Sequence, residues 1–205
     1  MDEVKIVYID DHLDTVISKY MRTIYCSQNS SNKFSVKKDY AEIIFNGDEG
    51  YESLLNDSRV REANLILIDN RLFEQRDAKQ GKFSGTQFKV ILRKLFPFIE
   101  VIVITQDEKK QGHKIIHKFN DRYGESSDDH YNKELLPALD NAISEVISFE
   151  ELSKELTHSE DVERTLIEKV LLSLQGDDTY DELRKADIDA LIAAFKELEE
   201  SVEGQ

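Results

Sequence analysis

Cysteine occurs once, at Cys26, which excludes an intramolecular disulfide and any cysteine-rich zinc site. Proline occurs twice, at Pro97 and Pro137, and no low-complexity linker or repeat of fixed period interrupts the chain. No run of about 18 apolar residues exists, so no segment is expected to span a membrane. The opening Met1-Asp2-Glu3-Val4-Lys5 lacks the basic-then-apolar order of a secretory signal. Together these absences lead to the expectation of a cytoplasmic protein. Positive charge is also scarce: 27 Lys and Arg stand against 42 Asp and Glu, a net charge of −15. The deficit is concentrated from Glu150 onward, with 17 acidic residues against 6 basic; the first 149 residues carry 25 against 21. An acidic tail repels phosphate backbones, which argues against DNA contact through it.

What is present suits a soluble globular chain, with 40% hydrophobic and 34% charged residues. Its 205 residues suffice for one well-buried domain and a small appendage. Val4 to Ile9 is a β-branched apolar run ending at Asp10-Asp11, as expected of a strand buried on both faces. Leu13, Val16, Ile17, Tyr20, Met21 and Ile24 then recur at helical spacing. Phe34 to Asp39 reads as a short strand and Glu49 to Arg61 as a weaker helix. Asn64 to Asp69 is a second strong strand, again ending in aspartate. A long polar stretch, Arg71 to Phe83, precedes a helix opened by Ser84-Gly85-Thr86 and ended by Pro97. Glu100 to Thr105 is the third strong strand. Residues 107–120 read as a polar helix, and Asp129 to Asn132 as a brief fifth strand ending at Lys133. Leu136, Leu139, Ile143, Val146 and Ile147 mark a closing amphipathic helix.

Strands alternating with helices predict an α/β domain on a parallel sheet, whose sites form at the carboxyl ends of the strands. On this reading four of the five strands deliver a reactive group there: Asp10 and Asp11, Asp69, Thr105 and Lys133. Converging carboxylates need a cation, and an all-oxygen cluster suits Mg²⁺. A carboxylate beside Mg²⁺ can attack a phosphoryl donor, with a lysine and a hydroxyl offsetting charge on the equatorial oxygens.

Ile9-Asp10-Asp11-His12, Leu67-Ile68-Asp69-Asn70, Ser84-Gly85, Val103-Ile104-Thr105 and Tyr131-Asn132-Lys133 fall in one order over about residues 4–148. In this the chain resembles the receiver domains of two-component response regulators. The resemblance implies a flavodoxin-like (βα)5 receiver with a central five-stranded parallel sheet at residues 1–149. An acidic α-helical extension would follow at 150–205. It implies that Asp69 is the phosphoacceptor, and that Asp10, Asp11, Asp69 and the backbone carbonyl of Arg71 hold Mg²⁺. Thr105 would sense the phosphoryl group and Lys133 would pair with it. The family's aromatic switch, three positions before the lysine, falls on His130, which would rearrange with Thr105. The partners implied are a histidine kinase or phosphotransfer protein and a downstream protein. Three departures are visible: the span from Asp11 to Asp69 and the segment between Asp69 and Ser84 are both longer than usual, and Glu134 stands where the family has a proline.

Other features are weighed against blander readings. His113 and His117, four apart on the expected helix, read as a polar face. His158 has no supporting motif, and Cys26 reads as a partly buried apolar filler. In the tail, Thr157 to Glu160 and Thr179 to Glu182 fit capping boxes before two apolar stripes, beginning at Val162 and Leu183. These helices pack on each other and the receiver, or form a homodimer or partner surface. A degenerate receiver acting as a phosphorylation-independent scaffold is the main alternative function. A haloacid-dehalogenase-type phosphatase fits less well, because Asp11-His12-Leu13-Asp14-Thr15 has the wrong spacing.

Overall fold

The computed structural model describes residues 2–27, 34–73, 84–112, 114–121 and 124–157, and residues 168, 169, 172, 186, 188–190 and 193 of the C-terminal stretch. Five parallel strands form one sheet: β1 (Glu3–Asp10), β2 (Lys37–Ile44), β3 (Leu65–Asp69), β4 (Glu100–Thr105) and β5 (Ile115–His117). Their order is β2-β1-β3-β4-β5, so the chain reverses its direction of travel between β1 and β3. In such sheets the crevice at that switch point is where sites are built. The fold is therefore α/β and flavodoxin-like, with a helical C-terminal part.

Side chains alternate across each strand, and the apolar sequence on both parities fills two cores. Ile6, Tyr8, Leu65, Leu67, Ile102 and Ile104 face α1 (Thr15–Tyr20) and α5 (Ser127–Thr157). Val7, Ile9, Ile66, Ile68, Val101 and Val103 face α2 (Tyr51–Asn56), α3 (Ser58–Arg61) and α4 (Gly85–Leu95). Asp14 caps α1 by accepting from the backbone N–H groups of Val16 and Ile17, and a π-helical turn, Met21–Tyr25, extends that helix. The segment expected as one helix over 49–61 is two, because Asp57 leaves helical geometry and caps α3 through Arg59 N–H. β2 starts later and runs longer than its sequence suggests. It is an edge strand, registered on β1 from Glu3↔Lys37 to Asp10↔Ile44, and its polar half carries no hydrophobic signal. Ser84 and Gln87 close a full capping box on α4.

The fifth strand is not where the sequence reading puts it. It is Ile115–His117, inside the stretch expected to be helical, and Asp129 to Lys133 belong to the opening turns of α5. Ser126 Oγ accepts from Asp129 N–H at 3.1 Å, and Asp128 and Asp129 favour a helix N-terminus electrostatically. Tyr131, Leu135, Leu139, Ala142 and Ile143 then bury one helical face. That burial overrides the local β-like character of His130-Tyr131.

Parallel neighbours normally need a crossover of a dozen or more residues, most often a helix. Residues 106–114 join β4 to β5 with no helix among the described residues. A groove of about 500 Å³ stands beside this link, lined by Lys89, Val90, Arg93, Val103 and Ile115 among others.

α5 runs without a break through residues 149 and 150, the expected domain boundary. Beyond it, Ile188 is buried in the core on the α2–α4 side, and Asp189 Oδ1 accepts from the Tyr51 hydroxyl at 2.8 Å. The C-terminal stretch therefore touches the sheet domain at that point. His113, His158, residues 74–83, both tail capping boxes beyond Thr157 and the stripe residues Val162 and Leu183 lie outside the described residues. Among the described residues, no helix is long and apolar enough to cross a membrane.

Candidate functional site: an acidic cluster at the strand ends

Asp10 ends β1 and Asp69 ends β3, on neighbouring strands at the switch point. Both are almost wholly buried, with 1% and 5% of their surfaces exposed, while Asp11 is half-buried. Each of the three can offer a carboxylate oxygen within 4.8 Å of the others. The two buried carboxylates are oriented by the backbone after them. Asp10 Oδ1 accepts from His12 N–H at 3.0 Å, and Asp69 Oδ2 accepts from Arg71 N–H at 2.7 Å. Asp10 Oδ2 also accepts from the buried Tyr8 hydroxyl.

The cation at this site is Lys118. Its Nζ lies 2.9 Å from Asp10 Oδ2 and 2.8 Å from Asp69 Oδ1, with the side chain almost entirely buried. It is the residue immediately after β5, and its N–H donates to the Thr105 carbonyl at 2.8 Å. That ladder bond aims the side chain across β4 toward the acids. Burial would lower the Lys118 pKa, but the facing Asp69 and Asp10 carboxylates outweigh it and hold the ammonium above its ordinary value. Burial pushes the Asp69 carboxyl up, against the pull of Lys118, and Asp10 adds to the rise. Two ion pairs on one buried lysine keep the lysine charged.

Thr105, 1% exposed, ends β4, and its Oγ1 accepts from Asp107 N–H at 3.1 Å. Asn70 links the phosphoacceptor candidate to α4: its Oδ1 accepts from Thr86 Oγ1 at 2.8 Å, and its carbonyl from Gly85 N–H at 2.8 Å. Gly85 is required by proximity, since a Cβ there would stand 2.3 Å from the Asp69 carbonyl oxygen.

Asp10, Asp11, Asp69 and Thr105 thus occupy adjacent strand ends, as the sequence leads one to expect. Lys133 does not join them. It lies on α5, is mostly exposed, and its nearest acid is Glu134 at 3.9 Å. Glu134 consequently does not follow the site lysine; Phe119 does. His130 loses its assigned position with Lys133. Its Nε2 lies 2.9 Å from the His117 carbonyl oxygen, and its ring packs on Phe119 and Tyr131, tying the β5–α5 turn to the helix. His117 sits on β5, not on the expected helix, with Nε2 3.0 Å from the Lys110 carbonyl oxygen. A groove of about 1000 Å³ opens over this edge, lined by Arg71, Lys109, Lys118, His130 and Lys133 among others. Lys118 was detectable only as the residue after Ile115-Ile116-His117, whose apolar pair is too short to announce a strand.

The donor set fits a hard divalent cation: three carboxylates, all oxygen, two of them buried. No family model and no curated protein matches the chain. Among solved structures, the chain is similar to the crystal structure of a two component transcriptional regulator AraC from Clostridium phytofermentans ISDg. That likeness has 16% identity and a TM-score of 0.43, and covers 73% of this chain and 98% of that one. It is too distant to bear on function.

Proposed function

We propose that the chain is a response-regulator receiver in which residues 1–149 carry the phosphoryl chemistry and residues 150–205 are an acidic helical extension. The observation that carries this reading is Lys118 bridging Asp10 and Asp69 at the carboxyl ends of adjacent parallel strands, beside Thr105. Asp69 is the acceptor. Its carboxylate oxygen attacks phosphorus of a phosphohistidine on a kinase or phosphotransfer protein. An O–P bond forms, the P–N bond breaks, and the released imidazole takes a proton from solvent. Asp10, Asp11, Asp69 and the Arg71 carbonyl would hold Mg²⁺, which when bound neutralises charge on the phosphoryl oxygens. Lys118 takes the role first given to Lys133, pairing with the phosphoryl group, and the Thr105 hydroxyl lies at the next strand end to donate to it. Output passes through contacts with a downstream protein in the cytoplasm, not through DNA.

The test is Mg²⁺-dependent modification by acetyl phosphate or beryllofluoride. Intact mass should show one phosphoryl group on the wild type and none on Asp69→Asn. Absence of both modification and Mg²⁺ binding would reject the reading. A second reading, a scaffold that works without phosphorylation, is favoured by the helix-free β4–β5 link. It is also favoured by Ile115, which is aliphatic three positions before Lys118 where the family has its aromatic switch. In that case Asp69→Asn leaves partner binding unchanged.

A further inference from the structure

On the side of β1 facing α1 and α5, Val4 and Ile6 are aliphatic and Tyr8 is not. Tyr8 is fully buried, and a phenol placed there brings a polar tip that must be hydrogen-bonded. Its hydroxyl donates to Asp10 Oδ2, two residues along the same face of the strand. The same hydroxyl accepts from Asp14 N–H at 3.4 Å, next to the cap of α1. Asp10 Oδ2 is thus shared between Tyr8 and Lys118, while Oδ1 takes His12 N–H.

We propose that Tyr8 is a positioning residue that weakens the hold of the Asp10–Asp11–Asp69 cluster on a divalent cation by committing a lone pair of Asp10 Oδ2 to its hydroxyl. The inference rests on the receiver reading for the identity of the site, but it concerns cation affinity alone. A hydrogen bond to a carboxylate draws off negative charge that would otherwise go to a cation. Its removal leaves Asp10 oriented by His12 N–H and Lys118, so the loss of the phenol hydroxyl frees charge without freeing the side chain.

The experiment is titration of the full chain with MgCl₂ by calorimetry, for wild type, Tyr8→Phe and Tyr20→Phe. Tyr20 is a second buried phenol on the same core; its hydroxyl donates to Asn132 at 2.9 Å, and it contacts none of the three acids in the described contacts. Tyr8→Phe should bind Mg²⁺ about fivefold more tightly, the scale of one ordinary net hydrogen bond, and Tyr20→Phe should match the wild type. Wild-type affinity in Tyr8→Phe, or equal tightening in both variants, overturns the role of Tyr8 and leaves the receiver reading standing. No Mg²⁺ binding by the wild type overturns both. If Tyr8→Phe fails to fold, Tyr8→Leu, which also removes the hydroxyl, should bind Mg²⁺ more tightly than wild type; wild-type affinity in that variant would also reject the proposal.

Discussion

Lys118 Nζ stands 2.8 Å from Asp69 Oδ1, whereas among the described residues the acid that Lys133 reaches is its neighbour Glu134. Removing one partner of a buried pair strands the other, at a cost of about 3 kcal/mol or more. Lys118→Met should therefore destabilise the domain by about that amount in urea unfolding. Added Mg²⁺ should recover part of the loss, because a cation bound only by the folded state restores stability. Lys133→Met should stay within about 0.5 kcal/mol of wild type. Equal effects of the two variants would mean that the lysine assignment is wrong.

Gly85 is the second point of rigidity. A methyl group there meets the Asp69 backbone carbonyl, which no side-chain rotation can relieve. Gly85→Ala should cost about 1–3 kcal/mol and should displace Asp69. Unfolding curves give the first, and loss of acetyl-phosphate labelling out of proportion to the loss of folded protein gives the second.

The C-terminal stretch is expected to brace the domain through Ile188. Truncating a buried isoleucine to alanine costs about 2–5 kcal/mol where the site is truly packed. Ile188→Ala should lower the unfolding midpoint accordingly, and amide exchange should quicken around Tyr51, whose hydroxyl donates to the next residue, Asp189. An unchanged midpoint would show an extension that merely hangs from the domain.

Cys26 gives a pH prediction. Burial pushes its thiol up to about 12. The thiolate is the reactive form, so at pH 8 its population falls about a thousandfold below that of an ordinary cysteine. Iodoacetamide should label the native protein correspondingly slowly, with a rate still climbing beyond pH 10, and should label the unfolded protein fast. The sign for stability follows: the raised pKa leaves stability unaffected below the ordinary thiol value and disfavours the folded state above it. In that range the unfolded chain ionises first, so this group draws stability down as pH rises through about 9–12.

Much of the sheet was legible because β1, β3 and β4 are buried on both faces and read as unbroken apolar runs ending in Asp10, Asp69 and Thr105. The site acids came with them, since the end of a buried strand is marked by its first polar residue. β5 was not legible. Three residues at a sheet edge bury little, and their identity as a strand comes from pairing with Val103 to Thr105, a long-range fact. The error in Lys133 followed from that one strand, and His130 and Glu134 fell with it. The contact of Ile188 with the core was equally hidden, because an amphipathic stripe states that a face is buried without stating against what.

If Asp69 is the phosphoacceptor, the helix-free link between β4 and β5 would limit how far a message from it can travel. A helix moves as a rod and reports a displacement at one end many ångströms away at the other. The loop after Thr105 has no such lever among its described residues, and slack in a loop absorbs motion instead of transmitting it. A partner that distinguishes modified from unmodified Asp69 would then have to touch the rim formed by residues 106–110 and the Lys118 turn itself. On the proposed receiver reading such a listener would stand at the mouth of the site, and the signal would be read by close inspection, not by broadcast.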